Sequence, residues 1–137
     1  KVPQIAGWIG YVGDETALPV IARMLEILPA GTRGTARIFL PDPRDAQAVR
    51  HPAGVDLQWL VRGRDGTLLD AVKALVPPAS DRFLFVAAER HEAAAARDHL
   101  AGQGLGRGEY HCANYWTEGW VPPDCQVSRL PHRKAAG

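Results

Sequence analysis

The stretch Trp8-Ile9-Gly10-Tyr11-Val12-Gly13-Asp14-Glu15-Thr16-Ala17-Leu18-Pro19 decides how the rest of the chain is read. Trp8 to Val12 is a short apolar strand that ends on a glycine. Asp14, Glu15 and Thr16 follow as an acidic and hydroxyl cluster, and Ala17 to Leu28 then places apolar residues at helical spacing. A strand, a tight turn and a helix start in that order build a nucleotide-binding corner. The turn lets a ligand approach the backbone, and the helix start offers N–H groups that have no partner inside the helix.

Strand-like and helix-like segments alternate onward from this corner. Thr35–Leu40 reads as the second strand, and Arg44–Arg50 as a short helix. Val55–Val61 is a third strand, alternating through Val55, Leu57, Trp59 and Val61. Gly63–Gly66 is a loop, and Thr67–Val76 a helix stopped by Pro77-Pro78. Arg82–Ala87 is a fourth strand, and its run Phe83-Leu84-Phe85-Val86 calls for burial on both faces. Glu92–Gln103 is an alanine-rich helix, and Tyr110–Tyr115 a fifth strand. Five strands alternating with helices predict an α/β domain built on a parallel sheet, with right-handed crossovers and helices on both faces. Ligands in such sheets sit beyond the carboxyl ends of the strands, where the strand order reverses. Gly13–Thr16, Arg62–Arg64, Ala88–Arg90 and Tyr115–Trp116 all fall at those ends.

The bulk numbers fit a single globular domain. The chain has 137 residues, 46% of them apolar and 23% charged, with a net charge of +1. That charge leaves no footprint for nucleic acid. No apolar run approaches the roughly 20 residues of a membrane helix, and no signal peptide is visible. Cys112 and Cys125 are the only cysteines, with 12 residues between them and no CxxC spacing. Cys112 reads as a small apolar core residue, and the compartment as reducing and cytoplasmic. Among the five histidines only His91 and His99 share a helix, and eight residues put them about 12 Å apart, so no metal site is expected.

Each unusual cluster has a structural and a functional reading. Asp14 or Thr16 caps a helix, or the Thr16 hydroxyl and the N–H groups of residues 15–17 face a pyrophosphate. Asp14 and Glu15 repel phosphate, and suit ribose hydroxyls better. Arg62 and Arg64 flank Gly63 in a solvated loop, or clamp an adenosine ribose or a 2′-phosphate, in which case NADPH is preferred over NADH. Arg44 and Arg50 are weaker candidates for the same task. Glu89 and Arg90 form a local ion pair or a helix cap. Tyr115, Trp116 and Trp120 are core aromatics, or a wall beside planar rings. Arg129, His132, Arg133 and Lys134 make a basic tail. No nucleophile–base pair stands out, so no catalytic side chain is assigned.

The residues resemble one family. Gly13-Asp14-Glu15-Thr16-Ala17-Leu18-Pro19 matches its GDETALP motif in all seven positions. Ala87-Ala88-Glu89 is similar to its Ala-Gly-Glu, with Ala88 in place of glycine. Tyr115-Trp116-Thr117-Glu118-Gly119 is similar to its Tyr-Trp-Arg-x-Gly, with Thr117 in place of arginine. The chain thus resembles the siderophore-interacting proteins, flavin-dependent ferric-siderophore reductases related to the ferredoxin-NADP reductases.

The resemblance implies a three-layer sandwich with a five-stranded parallel sheet in the order 3-2-1-4-5. It implies a single NAD(P)H-binding domain over residues 1–137, with 8–120 as ordered core and 121–137 as tail, and without the family's N-terminal FAD-binding barrel. The implied cofactor-binding residues are Gly13, Asp14, Glu15, Thr16, Ala17, Arg62, Arg64, Ala88, Glu89, Tyr115 and Trp116. The implied cofactor is NAD(P)H, with FAD only through a missing domain or a partner. The implied partners are a flavin-binding domain and, through the complete reductase, a ferric siderophore, with the chain itself a monomer. The competing expectation is a non-catalytic interaction or regulatory module, docking through an exposed strand-1 edge or the Trp116–Trp120 surface.

Overall fold

In the computed structural model the described residues are 6–116. Strands β1 (Trp8–Asp14), β2 (Arg33–Leu40), β3 (Val55–Val61), β4 (Arg82–Glu89) and β5 (Tyr110–Trp116) form one sheet in the order β3-β2-β1-β4-β5, every pair parallel. Helices α1 (Leu18–Glu26), α2 (Leu68–Lys73) and α3 (Arg90–Ala101) flank it. This is the three-layer α/β sandwich and strand order that the sequence leads one to expect.

Side-chain alternation splits the core in two. Ile9, Tyr11, Phe85 and Ala87 point to one face and bury Ile21 and Leu25 of α1. Val12, Leu84, Val86 and Ala88 point to the other and bury Val72 of α2 with Ala96 and Leu100 of α3. The Phe83–Val86 run is therefore apolar because both faces of β4 are covered. The faces follow from handedness. The chain moves outward from β1 to β2 to β3, so its right-handed crossovers lie on the α1 face, where Val49 of the β2–β3 connection also packs. From β3 to β4 to β5 it moves the other way, and α2 and α3 take the opposite face.

Two glycines make this packing possible. A Cβ at Gly13 would stand 2.6 Å from Ile21 Cδ1 and 3.0 Å from the Ala87 carbonyl oxygen, so any side chain there would displace the Ile21 methyl of α1 and crowd the β4 backbone. Gly34 has φ +146°, and a Cβ there would overlap the Ile9 backbone.

The structure departs from the sequence reading in three places. Arg44–Arg50 is not a helix. Pro43–Asp45 makes one 3₁₀ turn capped by Asp42, and Ala46 at φ −65°, ψ 141° is already extended. A seven-residue segment whose one packed apolar side chain, Val49, is only partly buried does not repay helix nucleation. The corner helix starts as a 3₁₀ turn, Glu15–Ala17, before α1. Strand β1 is central, bonded to β2 and β4, so it offers no exposed edge for docking.

Candidate functional site

The strand order reverses at β1 and β4, and the carboxyl ends of these strands carry the site. Gly13 of β1 pairs with Ala87 of β4, which puts Asp14 and Glu89 at neighbouring strand ends. Both carboxylates are buried and both cap a helix start. Asp14 accepts from the Thr16 N–H at 3.0 Å and from the Thr16 hydroxyl. Glu89 Oε1 accepts from the His91 and Glu92 N–H groups at 2.8 and 3.2 Å. Its Oε2 lies 2.8 Å from His91 Nδ1. The sequence motif thus resolves in favour of Asp14, not Thr16, as the cap. The Thr16 N–H and hydroxyl both turn back to Asp14 rather than outward.

Arg62 joins this pair from the far side of the sheet. It follows β3 and reaches past the end of β2 to Glu15 Oε1 at 2.6 Å, with Asp14 Oδ2 at 3.8 Å. Burial works against its charge, yet the Glu15 hydrogen bond and the Glu15, Asp14 and Glu92 charges hold its pKa above the ordinary guanidinium value. Glu92, one turn into α3, closes the cluster. Burial raises its pKa first, and Asp14, Glu89 and Glu15 push it further up, while Arg62 pulls it back. Three carboxyl groups, of Asp14, Glu15 and Glu92, therefore share the Arg62 guanidinium, with Glu89 beside them.

The remaining predicted residues fall around this cluster rather than in it. Arg64 turns away, its Nη2 3.0 Å from Asp65 Oδ2. Arg44 is held by Asp42 at 2.8 Å beyond β2. Ala17 is buried against the α1 core. The Ala88 methyl packs in the α2–α3 core beside Val12 and Cys112, so this departure from glycine lies under the site, not in it. Tyr115 and Trp116 end β5, where Trp116 pairs with Glu89 after a register shift. Their side chains, and Thr117, Trp120 and the basic tail, lie outside the described residues.

Sequence reading missed His91 and Glu92. The available signal was their position two and three residues after Glu89, where a capping carboxylate meets the first backbone N–H groups of a helix. Among the described residues no group of three or more His, Cys, Asp or Glu could hold a metal. Nor is any helix among them long and apolar enough to cross a membrane. A groove of about 570 Å³ lined by Ile9, Tyr11, Met24, Ile27 and Phe83 lies toward the opposite, amino ends of the strands, away from this chemistry.

Chemically, the cluster accepts hydrogen bonds. The Thr16, His91 and Glu92 N–H groups, which a phosphate could otherwise use, are taken by Asp14 and Glu89, and the surrounding charge is negative. Ribose hydroxyls and a carboxamide NH₂ fit such a lining, because each donates to a carboxylate.

Known proteins share this fold. A siderophore-interacting protein from Aeromonas hydrophila superposes with a TM-score of 0.75 at 28% identity, covering 85% of this chain and 53% of that one. A siderophore utilization protein from T. fusca gives 0.79 at 28% identity, covering 89% and 49%. The ferric vibriobactin reductase ViuB of Vibrio cholerae is 29% identical over 120 residues, which are 83% of this chain and 44% of ViuB. The chain thus spans about half the length of the relatives it matches. The family model described as siderophore-interacting protein matches residues 6–119. With GDETALP at the end of β1 and Glu89 at the end of β4 of the same sheet, the chain belongs to the siderophore-interacting protein family.

Proposed function

We propose that this chain is the NAD(P)H-binding half of a flavin-dependent ferric-siderophore reductase. The observation that carries the reading is the meeting of Asp14, Glu15 and Glu89 at the strand-order reversal of a siderophore-interacting protein. Asp14 and Glu15 accept from ribose hydroxyls of the nucleotide, and Glu89 accepts from the carboxamide NH₂, which fixes the ring near the end of β4. The bound nucleotide supplies hydride to FAD, and the electrons pass to siderophore-held Fe(III), which leads to iron release. No residue of this chain is assigned to the flavin, which belongs to another domain or a partner. The chain's own part is to bind and orient, as a monomer in the cytoplasm.

A second reading is a non-catalytic interaction or regulatory module, to which a departure from the family motif at the site, such as Ala88, would lend weight. Ala88 does not favour it, because the methyl lies in the core rather than at the site.

Calorimetry or saturation-transfer NMR with NADH and NADPH tests the proposal. Millimolar or tighter binding of at least one nucleotide, weakened in Glu89→Gln, is expected. A chain that binds neither at millimolar concentration is not a nucleotide-binding half.

A further inference from the structure

We infer that this site is built for the nicotinamide nucleotide without a 2′-phosphate, NADH, and that Glu15 sets this choice by holding Arg62. The inference rests on the nucleotide-binding reading above and deepens it.

An arginine recognises a phosphate by presenting a free guanidinium fork. On sequence, Arg62 and Arg64 read either as a solvated loop or as such a clamp, and only the clamp points to NADPH. In the structure each is committed. Arg62 Nη2 is 2.6 Å from Glu15 Oε1, and Asp14 stands on its other side at 3.8 Å. Arg64 gives Nε and Nη2 to Asp65 at 3.2 and 3.0 Å. Arg44, beyond the end of β2, gives Nε and Nη2 to Asp42 at 3.2 and 2.8 Å. Arg50 precedes β3 and lies toward the opposite ends of the strands.

The two outer pairs are exposed and exchange readily with solvent. Arg62 differs in its surroundings: besides Glu15, its charge acts on buried Asp14 and on Glu92, so its release would take a shared guanidinium from three carboxyl groups. Even with Glu92 protonated the cluster stays negative. A 2′-phosphate at this edge would displace Glu15 and then stand among these carboxylates. A 2′-hydroxyl needs no displacement, since it donates to a carboxylate, which is how acidic residues near strand ends select NAD in other doubly wound sheets.

Parallel titration of the 137-residue chain with NADH and NADPH, at low and raised salt, tests the inference. NADH is expected to bind at least about tenfold tighter at low salt, with the gap narrowing as salt screens the repulsion. Glu15→Gln removes the charge and Glu15→Ala removes the bond. Both are expected to raise NADPH affinity more than NADH affinity, with the fold checked by circular dichroism. NADPH binding as tight as NADH, or a preference unchanged by both variants, overturns the inference and leaves the nucleotide reading standing. Binding of neither nucleotide by the unmodified chain overturns the nucleotide reading, and the inference with it.

Discussion

Arg62 and Glu15 stand 47 residues apart in sequence and 2.6 Å apart in space, bridging the ends of β3 and β1 across β2. Both side chains are more than a third exposed, so the pair itself contributes little to stability, at most about 1 kcal/mol. Its effect is electrostatic and local. Removing the guanidinium in Arg62→Ala leaves Glu92 among three carboxylates with nothing to pull its pKa back. The Glu92 pKa, already raised by burial, is expected to rise further, read by carboxyl-carbon NMR titration. No change would mean that Arg62 does not reach the cluster in solution.

The same residue predicts a pH dependence of stability. A carboxyl whose folded pKa lies above its unfolded value favours the fold when protonated. Its contribution is complete below the ordinary carboxylate range and is lost as pH rises through the raised folded value. Glu92→Gln removes that loss. The variant is expected to be more stable than the parent at pH 7, with the difference shrinking on acidification toward the ordinary carboxylate range. Urea titrations at several pH values read both, and a difference that grows on acidification would reverse the sign.

Gly13 links the motif to the core. In Gly13→Ala the new methyl meets Ile21 Cδ1 at 2.6 Å and the Ala87 carbonyl at 3.0 Å, and backbone cannot move aside cheaply. Overpacking of this kind costs about 1–3 kcal/mol. Gly31→Ala meets nothing within 4 Å and serves as the control, expected within about 0.5 kcal/mol of the parent. Equal stability of the two variants would show that α1 does not press on β1 as described. The glycine of the GDETALP motif thus has a packing role that needs no ligand.

How much of this was legible in the sequence depends on the range of the interaction. Phe83–Val86 announced a doubly buried strand because local composition carries that information. GDETALP placed the corner for the same reason. The Arg44–Arg50 segment misled because its polar, helix-compatible residues have almost no apolar face to pack, and Ala46 turns extended. The clamp reading of Arg62 stays open on sequence because its partner Glu15 lies two strands away, and no local pattern reveals that pairing. Glu92 was invisible because its carboxyl matters only once three other acids converge on it.

Helix α2 tests local capping. Thr67 Oγ1 accepts from the Asp70 N–H at 3.1 Å, and Asp70 Oδ2 accepts from the Thr67 N–H at 3.0 Å. Six residues do not hold a helix alone, so the capping box and the burial of Leu68 and Val72 must do it. Thr67→Ala is expected to cost about 1 kcal/mol in urea unfolding. The Asp70 pKa, lowered by the backbone and side-chain bonds of Thr67, should move only part of the way back, since the backbone bond survives. A depressed carboxyl stabilises above its unfolded value and loses that contribution as pH falls. The variant should therefore lose less stability on acidification than the parent does.

Cys112 gives a test of the α2–α3 core that does not involve the site. It lies on β5 beside Val86, Ala96 and Leu105, and burial pushes its thiol pKa up to about 11, only partly offset by Arg97. Reaction with a disulfide reagent requires the thiolate. Against an ordinary value near 9, the thiolate fraction at pH 8 falls about 100-fold, and burial slows access further. In a Cys125→Ser background the folded chain is expected to react at least about 100-fold more slowly than the same chain unfolded in guanidinium, with the rate climbing steeply toward pH 11. Comparable rates in the folded and unfolded states would mean that β5 does not sit closed against α3.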